Sequence, residues 1–159
     1  MDRFECLQQE LARRCPDLEV RAGEPMSRHT SFRIGGPARL MALPRSRKEA
    51  AAAVRAATEA GIAPFFLGNG SNLLVADHGY EGFVLKACGL DQVREVNRRL
   101  RAESGITLAR LANAALGRGL TGLEFAHGIP GTLGGAVVMN AGAYGGEMVQ
   151  VLTAVTYLD

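Results

Sequence analysis

Two stretches of this chain hold residue types at spacings that suit ligand chemistry, and the first is Gly68-Asn69-Gly70-Ser71-Asn72. Two glycines, two asparagines and a serine at the end of an apolar run can turn several backbone N–H groups inward, which makes a concave donor nest for an anion. A pyrophosphate is its natural guest. A tight hairpin around Asn69-Gly70 accounts for the same residues, so this loop alone leaves both readings open. Three better-known signatures are excluded. A Rossmann fingerprint needs a third glycine where Leu73 stands, and a Walker loop needs Lys-Ser/Thr after its last glycine. A nucleophile elbow at Ser71 needs glycines where Asn69 and Leu73 are found.

The second stretch runs from Gly128 to Gly146 and is the most glycine-dense part of the chain. Residues without bulk let a flat ligand lie against the main chain, with backbone donors facing its carbonyls and apolar side chains over its face, as an isoalloxazine ring requires. Close packing through small residues, or a flexible loop, would use glycine equally. Pro130 stiffens the start of the stretch and Val137-Val138-Met139 is too apolar to be left in water, which argues against flexibility.

Other chemistry finds less support. His29, His78 and His127 are the candidate general bases, yet none has a carboxylate or nucleophile at telling spacing, and each reads as structural. Cys6, Cys15 and Cys88 lack paired spacing and a histidine cluster, so reduced thiols in the cytoplasm are expected and a zinc site is not. The formal charge of +2, from 18 basic and 16 acidic residues, is dispersed. Its one cluster, Arg94, Arg98, Arg99 and Arg101, has no interleaved aromatic residues and reads as a solvated hairpin, not a nucleic-acid surface. No apolar run is long enough to span a bilayer, and the charged start is unlike a signal peptide.

Elements that could position the two stretches follow from periodicity. Phe4, Leu7 and Leu11 share one face of a helix over Phe4 to Arg14, and Val20 to Ser27 reads as turn-rich. Leu40 to Leu43 reads as a strand, Ser46 caps a helix from Arg47 to Glu59 ending at Gly61, and Ala63 to Leu67 returns as a buried strand. Leu73-Leu74-Val75 and Phe83-Val84-Leu85 read as further strands, which pins the 68–72 loop between two of them. A strand pair from Gln92 is followed by a helix capped by Thr107 and running to Leu116. Val149 to Leu158, with Val151, Thr153 and Val155 on alternate positions, reads as a closing strand.

Three runs in order, Thr30 to Ala38, Leu67 to Val75, and Gly122 to Ala126 leading into Gly128 to Glu147, resemble the amino-terminal signatures of the UDP-N-acetylenolpyruvoylglucosamine reductases. The similarity extends from about Leu18 to Asp159. It implies an α+β fold, the FAD-binding domain of the vanillyl-alcohol-oxidase (PCMH) type with two small subdomains. Residues 1–22 would be a lead-in helix and turn, 23–89 the first subdomain and 90–159 a second, truncated one, with the substrate domain absent. Gly68, Asn69, Gly70, Ser71, Asn72 and Leu73 would hold the pyrophosphate of non-covalent FAD. Pro130, Gly131, Thr132, Gly134, Gly135, Ala136, Val138, Gly142 and Ala143 would lie along the ribityl chain and flavin.

Tyr144 would touch flavin or substrate, though a packing tyrosine fits the same position. The resemblance further implies NADPH as reductant and a UDP-sugar as substrate. It also implies a proton donor, a carboxylate and a Tyr-Arg-x-Ser arginine from a portion beyond Asp159, so no catalytic residue is assigned here. A missing substrate domain or self-association would complete the site. The alternatives are an FAD-binding module without turnover and a covalent-flavin oxidase of the same fold.

Overall fold

In the computed structural model, which describes residues 2–158, the chain divides into two compact units, 1–90 and 91–159. The first is built on a four-stranded sheet. Helix α1 (Arg3–Arg14) starts where the Asp2 carboxylate accepts the N–H groups of Phe4 and Glu5 while Glu5 reaches back to the Asp2 N–H, a reciprocal cap that satisfies otherwise orphaned donors. Helix α2 (Arg47–Glu59) is capped by Ser46 and closed by Gly61 at φ +65°. The strands are β1 (Glu19–Pro25), β2 (Pro37–Leu43), β3 (Pro64–Leu67) and β4 (Tyr80–Lys86), in the order β1-β2-β4-β3. β1 pairs antiparallel with β2, whereas β2 and β3 both run parallel to β4.

Period-two alternation gives the sheet two faces. Leu40, Ala42, Phe83 and Leu85 meet Phe4, Leu7 and Leu11 of α1 and Ala53, Ala56 and Ala57 of α2. A fully buried side chain of this kind contributes about 1.5–3 kcal/mol, so this helix-covered face carries much of the unit's stability. The opposite face presents Met41, Val84 and Leu67, and loop residues cover it: Met26, Leu73 and Val75. The covering loops and the helical layer thereby lie on opposite faces of the sheet.

Four expectations are corrected in this unit. Val20 to Ser27 is mostly strand: Gly23, at φ +62°, sits inside β1 without shifting its register, so the turn-forming residue is absorbed by an edge strand. Leu73 to Val75 is not a strand, because the Gly36 N–H donates to the Ala76 carbonyl and a Cβ on Gly35 would lie 2.7 Å from the Val75 Cβ. This segment is held by a glycine turn, not by a ladder. β3 is not buried, since it forms a sheet edge on which Phe65 and Phe66 stay exposed. The first 22 residues are no separate lead-in, for the buried face of α1 belongs to the main core and β1 crosses position 22.

The second unit opens with the hairpin β5 (Val93–Val96) and β6 (Arg99–Ala102), turned by Asn97 and Arg98 at φ +50° and +58°. Helix α3 (Leu108–Leu116), capped by Thr107, and α4 (Leu133–Val138) follow, then the short hairpin β7 (Gly142–Ala143) and β8 (Gly146–Glu147) and the single turn α5 (Met148–Val151). Leu108, Ala126, Ala136 and Met148 form its core. Val149 to Leu158 is not a strand: α5 takes its start, and 152–158 has no regular structure. Alternating β-branched residues need a partner strand to pair with, and none is present among the described residues. No helix of the described residues is long and apolar enough to cross a membrane.

Candidate dinucleotide site

The 68–72 loop leaves β3 at the carboxyl ends of three parallel strands, where ligands bind in open α/β sheets. Gly70 is buried at φ +65°, and a Cβ there would come 1.9 Å from the His29 carbonyl oxygen. Only glycine permits this approach. The Ser31 N–H donates to the Gly70 carbonyl at 3.0 Å, which ties the loop to the stretch 29–31. With the inner side so occupied, the N–H groups of Asn69, Gly70 and Asn72 donate to no acceptor among the described residues, and Asn69 and Asn72 are exposed. These are the free donors an anion needs. Gly68, Asn69, Gly70, Ser71 and Asn72 are thus one loop, whereas the Leu73 side chain turns away to the cluster containing Met26.

Beside the loop opens a polar cleft of about 380 Å³ lined by Arg28, His29, Thr30, Ser31, Arg33, Asn69 and Lys86. Its cations were not singled out from the sequence, although Arg28 lies just before the first signature and Arg33 within it. Nor was the buried group behind it. His29 Nε2 lies 2.9 Å from Glu24 Oε1, and its Nδ1 lies 2.8 Å from Lys86 Nζ. The expectation that no histidine has a carboxylate partner therefore fails at His29. The hydrogen bond from His29, with Arg21 at 3.0 Å assisting, holds the Glu24 carboxyl below its usual range against the opposing effect of burial. Burial pushes the nearby Cys88 thiol up, against the Lys86 charge. His78 and His127 are exposed.

In the second unit, the glycines divide by what they face. Gly134 would press a Cβ to 2.9 Å from the Ser104 side chain, and Gly142 to 2.7 Å from the Gly146 carbonyl, so both are small because protein lies against them. Gly135 differs, since its Cβ would meet nothing nearer than Thr132 Oγ1 at 3.6 Å. Around Gly135 on α4 and just beyond, Val138 and Met139 are 84% and 62% exposed. Thr132 and Ala136 turn their side chains into the unit, the Gly131 carbonyl accepts the Leu108 N–H, and Ala143 is half-buried. Pro130 is exposed. Tyr144 is 95% exposed at φ +52°, a backbone region costly for an aromatic residue, and shares the β7–β8 turn with Gly145. The arrangement offers an open glycine beside uncovered apolar side chains, which fits a flat aromatic guest.

Free loop donors with cations beside them suit a diphosphate, and the chain belongs to the FAD-binding domain family, whose pattern matches residues 38–159. Its relatives give the more particular likeness. It is 52% identical over 136 residues to a UDP-N-acetylenolpyruvoylglucosamine reductase of Caldanaerobacter subterraneus subsp. tengcongensis, covering 86% of this chain and 45% of that protein. It is 50% identical over 137 residues to the reductase of Heliobacterium modesticaldum, covering 86% and 44%. The crystal structure of the reductase from Thermus caldophilus superposes with a TM-score of 0.65 at 36% identity over 82% of this chain and 45% of that one. The chain therefore spans under half the length of these relatives. An alkyldihydroxyacetonephosphate synthase (TM-score 0.66, 19% identity, 92% of this chain and 32% of that one) and p-cresol methylhydroxylase (0.56, 10%, 74% and 25%) share the fold, which is the α+β PCMH type.

Proposed function

We propose that this chain supplies the FAD-binding part of a cytoplasmic reductase that converts UDP-N-acetylenolpyruvoylglucosamine to UDP-N-acetylmuramate with NADPH. The carrying observation is the 68–72 loop, in which the N–H groups of Asn69, Gly70 and Asn72 donate to no acceptor among the described residues, beside a cleft lined by three cations. The match to the family pattern and the names of the relatives support the reading.

In this reading the N–H groups of Asn69, Gly70 and Asn72 bind diphosphate oxygens, and Arg28, Arg33 and Lys86 offset their charge. Main-chain groups of 130–136, the open face of Gly135, and Val138, Gly142 and Ala143 receive the ribityl chain and ring. Val138 and Met139 exclude water from that surface. Tyr144, held outward by its turn, orients flavin or substrate. Bound FAD supplies hydride transfer between NADPH and the enolpyruvyl double bond. These residues hold and shield the ring, and none of them is given the proton transfer.

The purified chain is expected to carry a flavin absorption spectrum and release intact FAD on denaturation. A colourless protein that does not bind added FAD would refute the assignment. NADPH oxidation dependent on the UDP-sugar tests the activity separately, and FAD bound without it would leave this chain a binding module.

A further inference from the structure

We propose that Glu24, His29 and Lys86 form a relay that positions the Lys86 ammonium for a diphosphate seated against the 68–72 loop, with His29 as the positioning residue. The proposal rests on the FAD reading for the source of that diphosphate. Its geometry begins with strand pairing. Lys86, the last residue of β4, is in register with Leu67, the last residue of β3, so its backbone stands beside the point where the loop begins. Alternation puts its side chain on the loop-covered face with Val84, not under the helices. There it lines the same cleft as Asn69, Arg28 and Arg33.

Chemistry then fixes the histidine. An ammonium can only donate, so His29 Nδ1, 2.8 Å from Lys86 Nζ, must offer its lone pair. An ionised carboxylate can only accept, so Nε2, 2.9 Å from Glu24 Oε1, must carry the proton. The imidazole is therefore neutral and held in one tautomer. Lys86 commits one of its three N–H bonds to it and has two left for the cleft.

Glu24 does not need His29 for charge balance, because Arg21 already contacts the same oxygen at 3.0 Å. What His29 adds is orientation of a long, flexible cation that otherwise shares an open cleft with two arginines. The charged and titratable groups around the relay are Arg21, Arg28 and Arg33 with the neutral Cys88 thiol, while Glu19 pairs with Arg21 behind it. The same histidine also backs the loop, since its carbonyl is the atom against which Gly70 packs.

The test uses the full chain with two probes, FAD and inorganic pyrophosphate, and reads both affinity and the ¹⁵N resonances of the His29 ring. Lys86→Met and His29→Leu are each expected to weaken FAD by about tenfold or more, the scale of one hydrogen bond to a charged group. His29→Gln, whose amide can both accept and donate, should recover most of the loss. Thermal melts identify any variant that has merely failed to fold, and the wild-type spectrum needs no variant. That spectrum should show the proton on Nε2, with Nδ1 shifting when pyrophosphate is added.

A proton on Nδ1, or unchanged FAD affinity in folded Lys86→Met, would overturn the relay. If the wild type binds pyrophosphate with this signature but not FAD, the flavin reading fails and the relay stands. Failure to bind either probe overturns both.

Discussion

Gly61 and Gly70 offer a matched pair of perturbations in one unit. Both have φ +65°, so alanine meets the same left-handed backbone penalty at each. Their surroundings differ completely. A Cβ on Gly61 meets nothing within 4 Å, whereas on Gly70 it would lie 1.9 Å from the His29 carbonyl oxygen and 3.0 Å from the Thr30 Cα. The left-handed conformation costs a non-glycine residue about 1–2 kcal/mol, partly offset by alanine's smaller freedom in the unfolded chain. Gly61→Ala should therefore cost about 1 kcal/mol.

Gly70→Ala adds the steric conflict. Ordinary contact begins near 3.4 Å, so backbone must retreat by about 1.5 Å, and forced overpacking costs about 1–3 kcal/mol. The expected total is about 3 kcal/mol, with Tm lowered by roughly 6–12 °C against roughly 2–4 °C for Gly61→Ala, as a chain of this size implies. FAD affinity, measured by flavin fluorescence, should be unchanged in Gly61→Ala and lost in Gly70→Ala as the loop is pushed off His29. Equal melting temperatures in the two variants, or native FAD affinity in Gly70→Ala, would refute this account of the loop.

Two further outcomes follow from strained or buried groups. Tyr144→Gly relieves a φ of +52° at a residue with almost no buried surface, so Tm should hold or rise by a few degrees while affinity for flavin or substrate falls; a lower Tm with native affinity would make Tyr144 structural. Glu24 has its pKa lowered from an ordinary 4.5, so its stabilisation is present above that value and is lost as pH falls through the depressed one. Urea denaturation from pH 7 to 3 should show the wild type exceeding Glu24→Gln by about 1–3 kcal/mol near neutrality and converging below pH 4.5. Parallel curves would mean that the carboxylate is not held by His29 and Arg21.

The contrast between what could and could not be read in the chain follows the distance over which each feature is determined. Helices α2 and α3 were legible because a cap and a stop signal lie within one helix length of each other, and α1 because its apolar spacing is local. That 68–72 is a tight loop was legible because glycine and asparagine announce backbone behaviour by their identity. β1 was misread because Gly23 carries a local turn signal that pairing with β2 overrides, and Leu73 to Val75 because glycines 35 and 36, far back in the chain, hold it out of any ladder. The 149–158 pattern failed the other way, showing strand alternation that pairs with no strand among the described residues.

His29 is the sharpest case. Its partners lie 5 and 57 residues away, so no spacing rule could connect them. Alternation in β4 could place Lys86 on the face opposite Phe83 and Leu85, but only the parallel pairing with β3 brings it beside the start of the glycine loop. The loop's glycines and asparagines were thus readable in one dimension, whereas the placement of Lys86 beside them becomes visible only once β4 is inserted between β2 and β3. An insertion that shifted β4 by one residue would leave the loop sequence intact and turn Lys86 to the helical face. The expected result is a chain that keeps every glycine of the signature and loses the anion.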